Sequence, residues 1–106
     1  MRTILVVNSK GGCGKSTIAT NLASFYAREN KSVVLADFDP QGSSLQWLAA
    51  RSPERPHIEG VAGLESGFRL PRHADCVILD APAAVRGAEL TALVRRAQTI
   101  LIPVLP

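Results

Sequence analysis

The sequence predicts an α/β protein, a parallel sheet flanked by helices in three layers. Three observations carry that expectation. Mostly apolar runs recur at Thr3-Ile4-Leu5-Val6-Val7, Ser32-Val33-Val34-Leu35-Ala36, Cys76-Val77-Ile78-Leu79 and Thr99-Ile100-Leu101-Ile102. None of them alternates with polar residues, and strands of that kind are buried on both faces. Stretches of helical periodicity separate the runs, which is the βαβ pattern of a parallel sheet with right-handed crossovers. The first three runs end in polar, turn-rich segments, and ligands of open parallel sheets sit at those carboxyl ends.

The first strand, from Thr3, runs into Lys10-Gly11-Gly12-Cys13-Gly14-Lys15-Ser16-Thr17. Strand, glycine-rich turn and helix together make a phosphate cradle. Glycines let backbone N–H groups approach phosphate oxygens and let the loop curl through positive φ. The following helix aims its free N–H groups and its dipole at the same anion. Lys15 then reaches the β- and γ-phosphates, and the Ser16 hydroxyl is placed to ligate Mg²⁺. The strict form of this loop has Gly or Ala where Ser9 stands, and it lacks a second lysine such as Lys10.

That departure is itself a pattern. The loop resembles the deviant Walker A motif, K-G-G-x-G-K-S/T, of the ParA/MinD group of P-loop ATPases. The resemblance implies ATP and Mg²⁺ as cofactors, binding through Gly11, Gly12, Cys13, Gly14, Lys15, Ser16 and Thr17. It also implies a homodimer closed around ATP, in which Lys10 touches the phosphates bound by the partner subunit.

After the loop, Ile18, Leu22 and Tyr26 recur every four residues, with Ala19, Ala23 and Ala27 one position behind. A helix from Ser16 and Thr17 to about Arg28-Glu29-Asn30 follows. The second strand, Ser32 to Ala36, ends at Asp37-Phe38-Asp39-Pro40-Gln41-Gly42. Ser43 or Ser44 is the expected N-cap of a short helix through Leu45, Trp47 and Leu48 to about Ala50. Residues 51–75 are broken by Pro53, Pro56, Gly60, Gly63, Gly67 and Pro71, so only loops and a short strand near His57 to Val61 are expected there. His57 and His73 lack metal-ligand spacing and read as loop residues.

The third buried strand, Cys76 to Leu79, delivers Asp80. A helix with Leu90, Leu93, Val94 and Ala97 on one face follows, with Arg95 and Arg96 complementing its dipole. The last strand runs from Thr99 to Ile102.

Asp80 resembles a Walker B aspartate, and Asp37 to Gly42 resembles the D-x-D-P-Q-G motif of the ParA branch. By that resemblance Asp39 positions or deprotonates the attacking water, making Lys10, Lys15 and Asp39 the catalytic set. Ser16, Asp37 and Asp80 are the metal set. Relatives show D-x-P-P after the Walker B acid, where this chain has Ala83.

The chain has 106 residues, 46% hydrophobic and 20% charged, which suits one globular domain over residues 1–106 rather than a disordered segment. No apolar run reaches the roughly 18 residues of a membrane span, and the first is too short for a signal peptide, so the cytoplasm is the expected compartment. Two cysteines without metal spacing agree with it. Cys13 reads as a small loop residue, the alternative being a thiol acidified by the helix N-terminus. A net charge of +3 permits DNA contact without arguing for it. Arg86, Arg95 and Arg96 are the clustered cations, and a solvated helix face accounts for them.

The resemblance implies partition of plasmids or chromosomes or positioning of a cargo, with non-specific DNA and an activating protein as partners and the nucleoid as location. Alternatives on the same loop are a cobyrinic-acid-synthase-like enzyme, a nucleotide-dependent iron–sulfur protein and a MinD-like membrane cycler. ParA-like proteins are longer, so this chain is expected to be the N-terminal, phosphate-binding half of such a fold, truncated at its C-terminus.

Overall fold

The computed structural model describes residues 2–7, 15–63, 73–82 and 87–102. The elements run β1 (Arg2–Val6), α1 (Lys15–Arg28), β2 (Val33–Asp37), α2 (Ser43–Ala50), β3 (Glu59–Ala62), β4 (Cys76–Asp80), α3 (Gly87–Arg96) and β5 (Thr99–Leu101). The strands form one sheet in the order β3-β2-β4-β1-β5, with every pairing parallel.

The order decides where the helices go. A crossover between parallel strands is right-handed, so its direction along the sheet fixes the face it covers. The steps β1 to β2 and β2 to β3 travel one way, and β4 to β5 travels the other way. Accordingly Ile4, Val6, Val33, Leu35, Cys76 and Ile78 pack with residues of α1 and α2 on one face. Leu5, Val34, Ala36, Val77 and Leu79 pack with Leu93 and Leu90 of α3 on the other. The expected three layers are present.

Strand alternation explains the continuous apolar runs, since both sets of side chains are buried. On α1 the alanine stripe, rather than the larger residues beside it, is innermost. Ala19, Ala23 and Ala27 are buried, while Ile18, Leu22 and Tyr26 are half-buried around them. Small side chains let the helix axis lie close to the sheet.

Several boundaries differ from expectation. Strands β2 and β4 each include their terminal aspartate, so Asp37 and Asp80 are the last paired residues rather than the first loop residues. Backbone pairing is indifferent to side-chain polarity and continues one residue beyond the apolar run. Strand β3 begins two residues later than His57, and α1 begins at Lys15.

The cap of α2 is a correction. Gly42 is the N-cap, at φ 67°, and neither Ser43 nor Ser44 takes that position. That left-handed conformation suits glycine, which frees Ser43 and Ser44 from capping.

Candidate functional site

Every strand stops in one row. Ala62, Asp37, Asp80, Val6 and Leu101 are register partners from one side of the sheet to the other. Alternation within β2 and β4 turns Asp37 and Asp80 toward the same face as Leu35 and Ile78, the face that α1 and α2 cover. Lys15 and Ser16 open α1 at that place. Four elements thus deliver polar side chains to a single corner.

The corner is largely closed to solvent. Asp80 and Ser44 are fully buried, Asp37 is 3% exposed and Lys15 is 8% exposed. Isolated charges are costly to bury, so each is partnered. The Asp80 carboxylate accepts from the Lys15 ammonium through Oδ1 and from the Ser44 hydroxyl through Oδ2. The Ser16 hydroxyl, 3.1 Å away, also donates to Oδ2. Lys15 Nζ is 3.7 Å from Asp39 Oδ2 as well. Two aspartates, Asp80 and Asp39, therefore share one lysine among the described residues.

Asp37 is held by the backbone. The N–H of Asp39 donates to its Oδ1 at 2.9 Å, and the N–H of Leu45 donates to its Oδ2 at 3.1 Å. Burial raises the Asp37 pKa above the ordinary carboxylate value. The two N–H bonds oppose that shift, nearby Asp80 adds to it, and Lys15 counters. Asp39, half-buried, accepts the Gln41 N–H at 2.9 Å and lies in the turn between β2 and α2. Proline at position 40 stiffens that turn.

Of the residues expected at the site, Lys15, Ser16, Asp37, Asp39 and Asp80 converge. Thr17 is exposed one position along α1, and its carbonyl accepts the Thr20 hydroxyl. Lys10, Gly11, Gly12, Cys13 and Gly14 lie outside the described residues, as do Ala83 and Arg86. Sequence reasoning missed Ser44. Its signal was the Ser43-Ser44 pair after a glycine that can itself take the N-cap position, which leaves a serine hydroxyl available elsewhere.

The donor set suits Mg²⁺. A hydroxyl and carboxylates are hard oxygen ligands, and Mg²⁺ is usually held by one or two carboxylates with phosphates and water. Among the described residues, no three His, Cys, Asp or Glu side chains form a metal site by themselves.

The connections leaving the adjacent strands β1 and β4 run in opposite directions along the sheet, and open α/β sheets bind ligands at such a switch point. Such a fold, with such a corner, defines a nucleotide-binding α/β protein. The chain belongs to the CobQ/CobB/MinD/ParA nucleotide binding domain family, whose profile matches residues 4–103.

Among its relatives, maintenance of carboxysome distribution protein A of Halothiobacillus neapolitanus is 36% identical, across 98% of this chain and 50% of the relative. Chromosome-partitioning ATPase Soj of Thermus thermophilus is 38% identical, across 83% of this chain and 41% of the relative. Cytosolic Fe-S cluster assembly factor CFD1 of Chaetomium globosum is 31% identical, across 88% and 35% respectively. The chain spans about half the length of the curated relatives it matches first. No helix among the described residues is long and apolar enough to cross a membrane.

Proposed function

We propose that this protein is a Mg²⁺-dependent ATPase that partitions DNA or positions a cargo through an ATP-closed homodimer. The observation that carries the reading is the convergence of Lys15, Ser16, Asp37, Asp39 and Asp80 at the end of one row of strands. Likeness to the partitioning and distribution proteins supports the biological half of it.

In this reading the loop Lys10 to Thr17 holds the phosphates, with Lys15 leaving its aspartate partners for the β- and γ-oxygens. Ser16, Asp80 and Asp37 hold Mg²⁺, which when bound offsets charge developing on the phosphates. Asp39 orients the attacking water and takes its proton, an assistance typically worth about 10²–10⁴-fold. Lys10 reaches the phosphates of the partner subunit. Duplex DNA is held electrostatically, and an activating protein stimulates turnover.

The test uses the whole protein carrying Asp39→Ala, which should bind ATP and lose turnover. Co-sedimentation with duplex DNA is compared in ATP and in ADP, then repeated with Lys10→Ala added. The expected result is binding in ATP only, abolished by Lys10→Ala and by high salt. Turnover undiminished by Asp39→Ala, or DNA binding indifferent to nucleotide, overturns the reading.

The likeness to CFD1 favours a second reading, a nucleotide-dependent iron–sulfur assembly protein. The chain's two cysteines, Cys13 and Cys76, are far apart in sequence, and Cys76 is buried in β4. Iron–sulfur reconstitution that yields a stoichiometric, cysteine-dependent absorbance would move the assignment there.

A further inference from the structure

Away from the carboxyl corner, α1 and α2 border a cleft. Positions 21, 24 and 28 make one stripe along α1, and positions 47 and 50 of α2 with its C-cap Arg51 face it. The turn at 52–55 closes the end. Between them lies a cleft of about 460 Å³, lined by Asn21, Ser24, Arg28, Trp47, Arg51 and Arg55, with Ala50 and Ser52 completing it. A second, smaller cleft adjoins it, sharing Arg51, Ser52 and Arg55 and adding His57.

No acidic side chain lines either cleft. None of Arg28, Arg51 and Arg55 joins an ion pair among the described residues. Three guanidinium groups therefore face one depression without a carboxylate between them. Arg51 is fixed in place: its Nη2 donates to the Pro56 carbonyl at 2.8 Å, and its guanidinium lies 5.5 Å from the Trp47 ring centroid. The turn that presents Arg55 is held too, since the Arg55 N–H donates to the Ser52 carbonyl at 3.1 Å. Preorganised cations lose less freedom on binding than mobile ones.

We propose that this cleft docks a short acidic peptide segment of a partner protein. Arginine forks match carboxylates in bidentate geometry, and the Trp47 ring offers an apolar surface beside them. The shape of the charge favours a peptide over nucleic acid. Exposed Glu29 directly follows Arg28, and exposed Glu54 directly precedes Arg55, so carboxylates interrupt the positive charge along the chain on either side of the cleft's arginines. A duplex needs many phosphates met along a track. The cleft lies at the opposite end of α2 from Ser44 and Leu45, so this inference does not rest on the nucleotide reading.

The experiment measures fluorescence anisotropy of a labelled oligoglutamate peptide titrated with the whole protein, with unlabelled duplex DNA and oligolysine as competitors. The protein is then changed to Arg28→Glu with Arg55→Glu, and separately to Arg28→Gln with Arg55→Gln. Both positions are exposed and unpaired among the described residues, so the fold tolerates either change, and circular dichroism checks it. Saturable, salt-sensitive binding of oligoglutamate is expected, falling about tenfold or more on double charge reversal and less on neutralisation. The reversed cleft should bind oligolysine instead. Equal peptide affinity in parent and reversed protein overturns the proposal. So does duplex DNA that displaces the peptide and itself depends on Arg28 and Arg55, which would make the cleft a nucleic-acid site.

Discussion

The two edges of the sheet spend polar groups in opposite ways. At the amino edge, bonds are paired off near solvent. The Ser32 N–H donates to exposed Asp75 at 2.8 Å, the Ser32 hydroxyl accepts the Asp75 N–H at 2.9 Å, and Gln98 exchanges bonds with the backbone of Thr3. At the carboxyl edge, several donors converge on two buried carboxylates, Asp37 and Asp80. The amino edge closes the sheet. The carboxyl edge stores charge that water would otherwise hold, and it persists only while each group keeps its partner.

The largest test of that contrast is Lys15→Ala. Removing one member of a buried ion pair typically costs about 3–5 kcal/mol, because the other charge is left uncompensated. Urea unfolding should show a loss of that order, partly restored when Asp80→Ala is added. Additive losses in the double variant would mean that the two groups do not share their energy. Nucleotide binding should vanish in both proteins.

A smaller effect is expected from Ser44→Ala. The Asp80 carboxylate keeps Lys15 and Ser16 but loses a buried donor, a cost of about 1–3 kcal/mol. By contrast Asp75→Ala, at the exposed edge, should cost about 1 kcal/mol or less on the same scale. A larger loss for Asp75→Ala than for Ser44→Ala would erase the distinction between the edges.

The finest test concerns a buried group at the amino edge, Cys76, the first residue of β4. Burial pushes the Cys76 thiol up to about 11 from its ordinary 9.0, with nearby Arg2 opposing and Asp75 adding. The unfolded chain therefore ionises first, and the folded protein holds the extra proton between those values. Stability contributed by Cys76 is intact below about 9 and falls as pH rises toward about 11. In unfolding curves, the advantage of the parent over Cys76→Ala should shrink across that window. In a Cys13→Ser background, alkylation of native Cys76 should be negligible at neutral pH.

Much of the architecture was legible because burial writes itself into composition. The unbroken apolar runs at 3–7, 32–36 and 76–79 marked strands with both faces covered, whereas the apolar stripe of α1 did not say that its alanines, rather than Ile18, Leu22 and Tyr26, lie innermost. Legibility failed where a residue's type admitted two uses. Asp37 and Asp80 read as loop residues because polarity usually ends a strand, yet their backbones pair while their side chains turn to the covered face. Ser44 read as a cap because serine commonly caps, whereas Gly42 turns the chain and leaves the hydroxyl for Asp80. Nor could periodicity announce the arginine cleft, since Arg28, Arg51 and Arg55 meet only when α1 and α2 lie side by side.

One feature of α2 makes the protein its own optical instrument. Its first turn clasps both buried carboxylates, through the Ser44 hydroxyl and the Leu45 N–H, and one position beyond Gln46 stands the chain's only tryptophan. The Trp47 ring is half-buried against the core with Arg51 over it, so its emission has a single origin and responds to how the helix is seated. Any event that loosens the clasp can be followed in real time, at low concentration and without attaching a dye.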